Sequence, residues 1–119
     1  MKAVNLKEKL NSFSDYWNPR IVGRLNGQVV KVAKFKGEFI WHKHDEEDEL
    51  FQLISGQMKI AFRDKTVILN PGELIIVPRG VEHKPMAEEE CEVMLFEPES
   101  TLNTGDQDSD LKRDTLEEI

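Results

Sequence analysis

The chain has 119 residues, with 16 basic and 23 acidic side chains and a net charge of −7. That length is one domain, large enough to bury a core without disulfide or metal staples. The single cysteine, Cys91, excludes an intrachain disulfide, the acidic balance argues against a nucleic-acid partner, and no apolar run approaches the roughly 20 residues of a membrane span. The N-terminal stretch MKAVNLKEKLNSF carries charges through its apolar positions and lacks a signal-peptide core, so a soluble cytoplasmic protein is expected.

Residues 5–13 read as a short helix. Asn5 caps it, Glu8 stands three residues on as in a capping box, and Leu6, Leu10 and Phe13 form one apolar stripe. Ser14 and Asn18-Pro19 end it. From Arg20 the pattern turns to strands. IVGRL and QVVKVAKF flank Asn26-Gly27, a strong hairpin signal because both turn positions need φ > 0. EFIWHKH (38–44) reads as the next strand, followed by ELFQLI, by the alternating MKIAFR (58–63), and by TVIL. LIIV (74–77) is a continuous apolar run between turns and is expected to be a buried strand. CEVMLFE (91–97) is the last, stopped by Pro98. Short strands separated by turn residues, with no crossover long enough for a helix, indicate an all-β sandwich or barrel rather than a parallel fold. The single domain is placed at 1–98, with the barrel at about 20–97. Residues 99–119 are rich in Ser, Thr, Asn, Gly and Asp and predict an acidic, mobile tail, with a short helix at 110–118 that Asp110 can cap.

Three histidines occur in all: His42, His44 and His83. On a strand, His42 and His44 share a face, because side chains at i and i+2 point the same way. An acidic run, Asp45 to Glu49, follows at once. Two converging imidazoles with a carboxylate nearby are a metal-ligand arrangement, since a metal needs neutral nitrogens and hard oxygens aimed at one point. Asp48 and Glu47 rival Glu49 for the carboxylate position. By the same parity, Phe51 and Leu53 share the face of Glu49 and line the interior with Met58, Ile60 and Phe62, whereas Trp41, Lys43 and Gln52 face away.

His42-Lys43-His44, four residues, Glu49, six residues, Gly56 resembles the first signature of the cupin superfamily. Gly72, five residues, Pro78-Arg79-Gly80, two residues, His83 resembles the second. Fifteen residues separate them, as in small single-domain cupins, and the chain is similar to the group related to phosphomannose isomerase. Two departures stand at other positions: Gly37 lies one residue close to His42, and Ala87 replaces a frequent asparagine. The resemblance implies a jelly-roll β-barrel, a metal held by His42, His44, Glu49 and His83, and a homodimer. Three nitrogens and one oxygen suit one divalent first-row transition metal: iron, manganese, nickel, cobalt, copper or zinc.

Four protein ligands in an octahedral shell leave two positions open, which suits catalysis. The expected function is therefore a small metal-binding cupin, acting as a dioxygenase or as an isomerase or lyase on a small molecule. Two alternatives remain: a non-catalytic module or sensor holding a small anion or sugar, and a barrel with a vestigial site. No general base can be named. Val30, Val32, Trp41, Leu50 and Ile54 are the candidate dimer-interface residues.

Overall fold

The computed structural model describes residues 1–119. The helix α1 (Leu6–Asn11) starts where the cap predicts: the Asn5 side-chain oxygen accepts the Glu8 amide at 3.0 Å. Seven strands follow: β1 (Arg20–Leu25), β2 (Gln28–Glu38), β3 (Glu49–Ser55), β4 (Met58–Phe62), β5 (Thr66–Leu69), β6 (Leu74–Val77) and β7 (His83–Pro98). Asn26 and Gly27 both take positive φ, 50° and 76°, which matches the right-handed twist of the β1–β2 hairpin.

Every strand pairing is antiparallel. The sheet runs β1-β2-β7-β3-β6, and β4 joins β5 to the other end of β7. The long β7 makes the closure possible. Its C-terminal half lies between β2 and β3, and its first residues pair with β4. The sheet therefore curls into a barrel, as the turn spacing predicts, and its jelly-roll form is the one the cupin resemblance implies. No helix is long and apolar enough to cross a membrane.

The inner face is built in rows across the strands. Ala33, Val93 and Leu53 form one, and Lys31, Leu95, Phe51 and Ile75 form the next. Met58 and Ile60 are fully buried in the same core, while Phe62 is half-buried at its edge. Trp17 closes one side. Its backbone has φ 58°, a region a bulky side chain rarely enters, and three contacts hold it there. Its ring stacks on Phe35 and Phe39, with centroids 4.2 and 4.9 Å away, and its indole N–H donates to the Lys36 carbonyl at 2.9 Å.

Three segments differ from expectation. Residues 39–44 are not a strand: only His42 makes a β-bridge, to His83, and the rest of the segment is irregular. LIIV is a strand at the sheet edge, with Leu74 and Ile76 about half exposed and only Val77 buried. A continuous apolar run cannot distinguish burial on two faces from one buried face plus an apolar outer surface. No helix forms at 110–118, where Leu111, Leu116 and Ile119 give no stripe to bury.

Residues 99–119, which by composition predict a mobile tail, lie against the barrel through backbone hydrogen bonds. The Asp106 amide donates to the Lys43 carbonyl at 3.0 Å, and the Lys43 amide donates to Asp106 Oδ1 at 3.1 Å. Further on, Ile21 donates to the Glu117 carbonyl and accepts from Ile119. Gly105 sits where only glycine fits: a Cβ there would stand 2.2 Å from the Lys43 carbonyl oxygen and 3.1 Å from the His42 ring.

Candidate metal centre

The four residues that sequence spacing singles out meet at one point. His42 and His83 exchange backbone hydrogen bonds of 3.0 and 2.9 Å, which sets their rings side by side. His83 begins β7 and Glu49 begins β3, so both side chains stand at strand ends, where the barrel opens. His44 is fixed through its carbonyl, which accepts the Gly80 amide at 2.8 Å. This bond joins the two signature turns, and so the Pro78–Gly80 bend matters to the site although it contributes no ligand. All four side chains are buried, and one donor atom from each lies within 4.8 Å of every other.

The rings are oriented by their outer nitrogens. His42 Nδ1 donates to the Ile40 carbonyl and His83 Nδ1 to the Val81 carbonyl, each at 2.9 Å. For His42 that tautomer leaves Nε2 with its lone pair facing inward. Glu49 Oε1 lies 3.2 Å from His83 Nε2 and 3.3 Å from His44 Nε2. The His44 approach is close but poorly aligned, and neither nitrogen of this buried ring has a hydrogen-bond partner. Buried polar atoms are rarely left unpaired, and an unpaired nitrogen aimed at a cluster of donors fits a cation. Burial, with the neighbouring His83 second, lowers the His42 pKa to about 4, so its ring is neutral at pH 7, as a ligand must be.

The rival acids are engaged elsewhere. Asp48 is exposed and accepts the Arg79 backbone amide at 2.9 Å, and Glu47 accepts the Ser100 hydroxyl at 2.8 Å. Cys91 is buried filler, its thiol pushed up to about 12 by burial. Trp41 lies beneath the Arg63 guanidinium, 3.9 Å from the ring centre.

Sequence reasoning missed part of the site. A recess of about 370 Å³, including its open mouth, lies beside His42 and Glu49. Its walls are Trp17, Phe35, Phe39, Phe51 and Leu95, and its polar groups include Glu97 and Asn103. Glu97 is 2% exposed and takes a 2.6 Å hydrogen bond from Lys31, which is equally buried. The two inward carboxyls share one environment with opposite results. For Glu49, burial raises the pKa, but the imidazoles of His44 and His83 and the Glu97 carboxyl outweigh that and hold it well below the ordinary range. For Glu97, burial and the Glu49 charge raise it well above that range, against the pull of Lys31. Strand alternation could have found both residues, since Lys31 falls in step with Val29 and Ala33, and Glu97 with Val93 and Leu95.

Residues 28–97 match the Cupin domain family. This chain belongs to the cupin superfamily. A relative among curated proteins, the uncharacterized protein YdbB of Bacillus subtilis, is 35% identical over 83 residues, which are 69% of this cupin and 67% of YdbB. Two solved structures are similar along most of the chain. A cupin-2 domain protein from Shewanella frigidimarina is 44% identical, with a TM-score of 0.80 over 81% of this cupin and 94% of its own length. Protein NMB1881 from Neisseria meningitidis is 32% identical, with a TM-score of 0.76 over 82% and 99%. The family match ends at residue 97. The segment that bonds to Lys43 beside the centre is thus outside the matched region.

Proposed function

We propose that this cupin binds one divalent first-row transition metal through His42, His44, Glu49 and His83 and acts as a metal-dependent enzyme on a small molecule. The observation that supports it is the convergence of four buried donor atoms, with both nitrogens of His44 lacking other partners. When bound, the ion would supply Lewis-acid polarisation of a carbonyl or enediolate, or, as iron, a means of using dioxygen. The chain's own residues would do the rest. Trp17, Phe35, Phe39, Phe51 and Leu95 exclude water and favour a largely apolar ligand of few atoms. Asp45, Glu46, Glu47 and Asp106 line a second hollow beside His44. Their charge disfavours a small anion as the ligand, and so weakens the anion-holding alternative.

The test is turnover of small carbonyl, enediol and phenolic compounds by protein loaded with each metal in turn. Oxygen uptake with iron alone supports a dioxygenase, and conversion without oxygen supports an isomerase or lyase. Saturable ligand binding without conversion under either condition would overturn the enzyme reading in favour of a binding module.

A homodimer is part of the proposal. Val30, Phe96, Leu50 and Ile76 form one row across the outer face, with Met94, Gln52 and Leu74 beside it. Exposed apolar rows of this kind mark association sites. Val30, Leu50 and Ile54 belong with this face, but Val32 is fully buried, on the strand that α1 covers, and Trp41 is stacked under Arg63. Lysine at both Leu50 and Ile76 should convert a micromolar dimer to monomer in sedimentation. A wild-type monomer at that concentration would contradict it. The free, buried Cys91 supports a cytoplasmic location. Residues 99–119 are proposed as an acidic, mobile tail on the 1–98 unit.

A further inference from the structure

The chain beyond Pro98 is tied to the barrel at both ends. The Glu99 amide donates to the Gly27 carbonyl at 3.0 Å, and the last residues bond to Ile21. Between these ties the chain passes over the four candidate ligands. Asn103 lines the recess beside His42 and Glu49. Ser100, Leu102, Gly105 and Asp106 line the hollow beside His44. Residues 100–106 are therefore a strap that both openings share as a wall. Behind it the centre is closed. His42, His44, Glu49 and His83 are between 0 and 4% exposed, and neither nitrogen of His44 reaches solvent. An ion or a small molecule reaches the four side chains only after a wall moves.

The walls differ in what holds them. Trp17, Phe35 and Phe39 are stacked rings, and Phe51 and Leu95 face each other on paired strands. Moving any of them breaks core packing. The strap has almost none to break, since its one large apolar side chain, Leu102, is 38% exposed. Its ties to the body are polar: the Ser100 hydroxyl to Glu47, the Asp106 amide to the Lys43 carbonyl, and the Lys43 amide to Asp106 Oδ1. Closure also leaves polar atoms unpaired. Six buried side-chain nitrogen or oxygen atoms lack a hydrogen-bond partner. Three belong to His44 and Glu97, and the other three are Thr101 Oγ1, Thr104 Oγ1 and Arg113 Nε of the C-terminal segment. Each of these has lost water without replacement, which destabilises the closed form. Segments with few apolar contacts open locally while the strands beneath them stay folded.

We propose that residues 100–106 are a gate over the centre, latched by Asp106 on Lys43, and that local opening of this strap admits whatever the centre binds. The gate lies beyond residue 97, where the family match ends. Its test uses metal-free, full-length protein, because the chain carries its own probes. The only three histidines are the three behind the gate. Diethyl pyrocarbonate modifies an accessible imidazole, and the reaction is followed by ultraviolet absorbance. The one cysteine, Cys91, is fully buried and lines neither opening. Its reaction with an aromatic disulfide reagent reports opening of the barrel as a whole. Two variants unlatch the strap. Gly105→Ala sets a Cβ 2.2 Å from the Lys43 carbonyl oxygen, so the strap cannot seat. Asp106→Ala removes the carboxylate that accepts the Lys43 amide.

In the wild type the histidines are expected to react far more slowly than free imidazole. Asp106→Ala should speed their modification roughly tenfold, the loss of one hydrogen bond to a charged group, and Gly105→Ala at least as much. Cys91 should stay protected in both variants. Histidine rates unchanged in both would overturn the gate, since the centre is then reached by another route. Histidines and Cys91 becoming reactive together would also overturn it, because the whole barrel would be opening. So would wild-type histidines as reactive as free imidazole. If Gly105→Ala does not fold, Asp106→Ala decides by the same outcomes. No ion enters the assay, so its failure leaves the metal reading intact, and protein that takes up no metal leaves the gate standing.

Discussion

Glu49→Gln will lower the affinity of this cupin for a divalent metal by about two orders of magnitude, and Asp48→Asn will leave it within about twofold. The first figure follows from sharing the roughly 10–16 kcal/mol of a four-ligand site among its donors, which gives about 3 kcal/mol each, and from about 1.4 kcal/mol per tenfold change. The contrast matters more than the magnitude. Both acids lie in the same five-residue acidic run, and both are ordinary carboxylates by sequence. The fold gives them different tasks. Glu49 begins β3 and turns inward to the imidazoles, whereas Asp48 stays exposed and holds the Arg79 amide. Calorimetric titration of the two metal-free variants reads the difference. Equal losses, or the larger loss in Asp48→Asn, would contradict the assignment.

Metal-free protein will lose stability as the pH falls from about 6.5 to about 4, and His42 will account for about 3 kcal/mol of that loss. The sign follows from proton uptake. In the unfolded chain His42 titrates near its ordinary value of 6.5, and in the folded chain burial and His83 lower it to about 4. Between those values the unfolded state binds the extra proton, so acid favours unfolding. The contribution is complete above 6.5, declines through the window, and is exhausted below the folded value. Denaturant melts of wild type and His42→Gln at a series of pH values isolate the effect, because the carboxyl titrations are common to both. An unchanged slope in the variant would show that His42 is not the group responsible. Bound metal should deepen the same dependence, because protons and metal compete for the ring.

Much of this centre is legible in the sequence. The spacing of His42, His44, Glu49 and His83 relative to the turns names the four residues that the fold brings together. A strand through 38–44 predicts the two histidines on one face, but the chain there is irregular, and the β-bridge to His83 and the Gly80 contact to His44 set the rings instead. Those are contacts between residues some forty positions apart, which no local pattern carries. Lys31 and Glu97 were hidden for another reason. Alternation puts both inward, but each charge argues for the surface, and only their mutual pairing resolves that conflict. Trp17 and Asn103 depend wholly on tertiary structure, since one precedes the barrel and the other lies beyond the family match.

Elemental analysis of protein purified without a metal-affinity tag, beside a His42→Ala/His83→Ala variant, reads whether the four converging side chains hold a metal. Near-stoichiometric first-row metal in the wild type and none in the variant is the predicted result, and the element found would rank oxygen-dependent against Lewis-acid chemistry. No metal in either protein, even after incubation with divalent ions, would contradict the account and leave an apolar recess as the functional feature of the barrel.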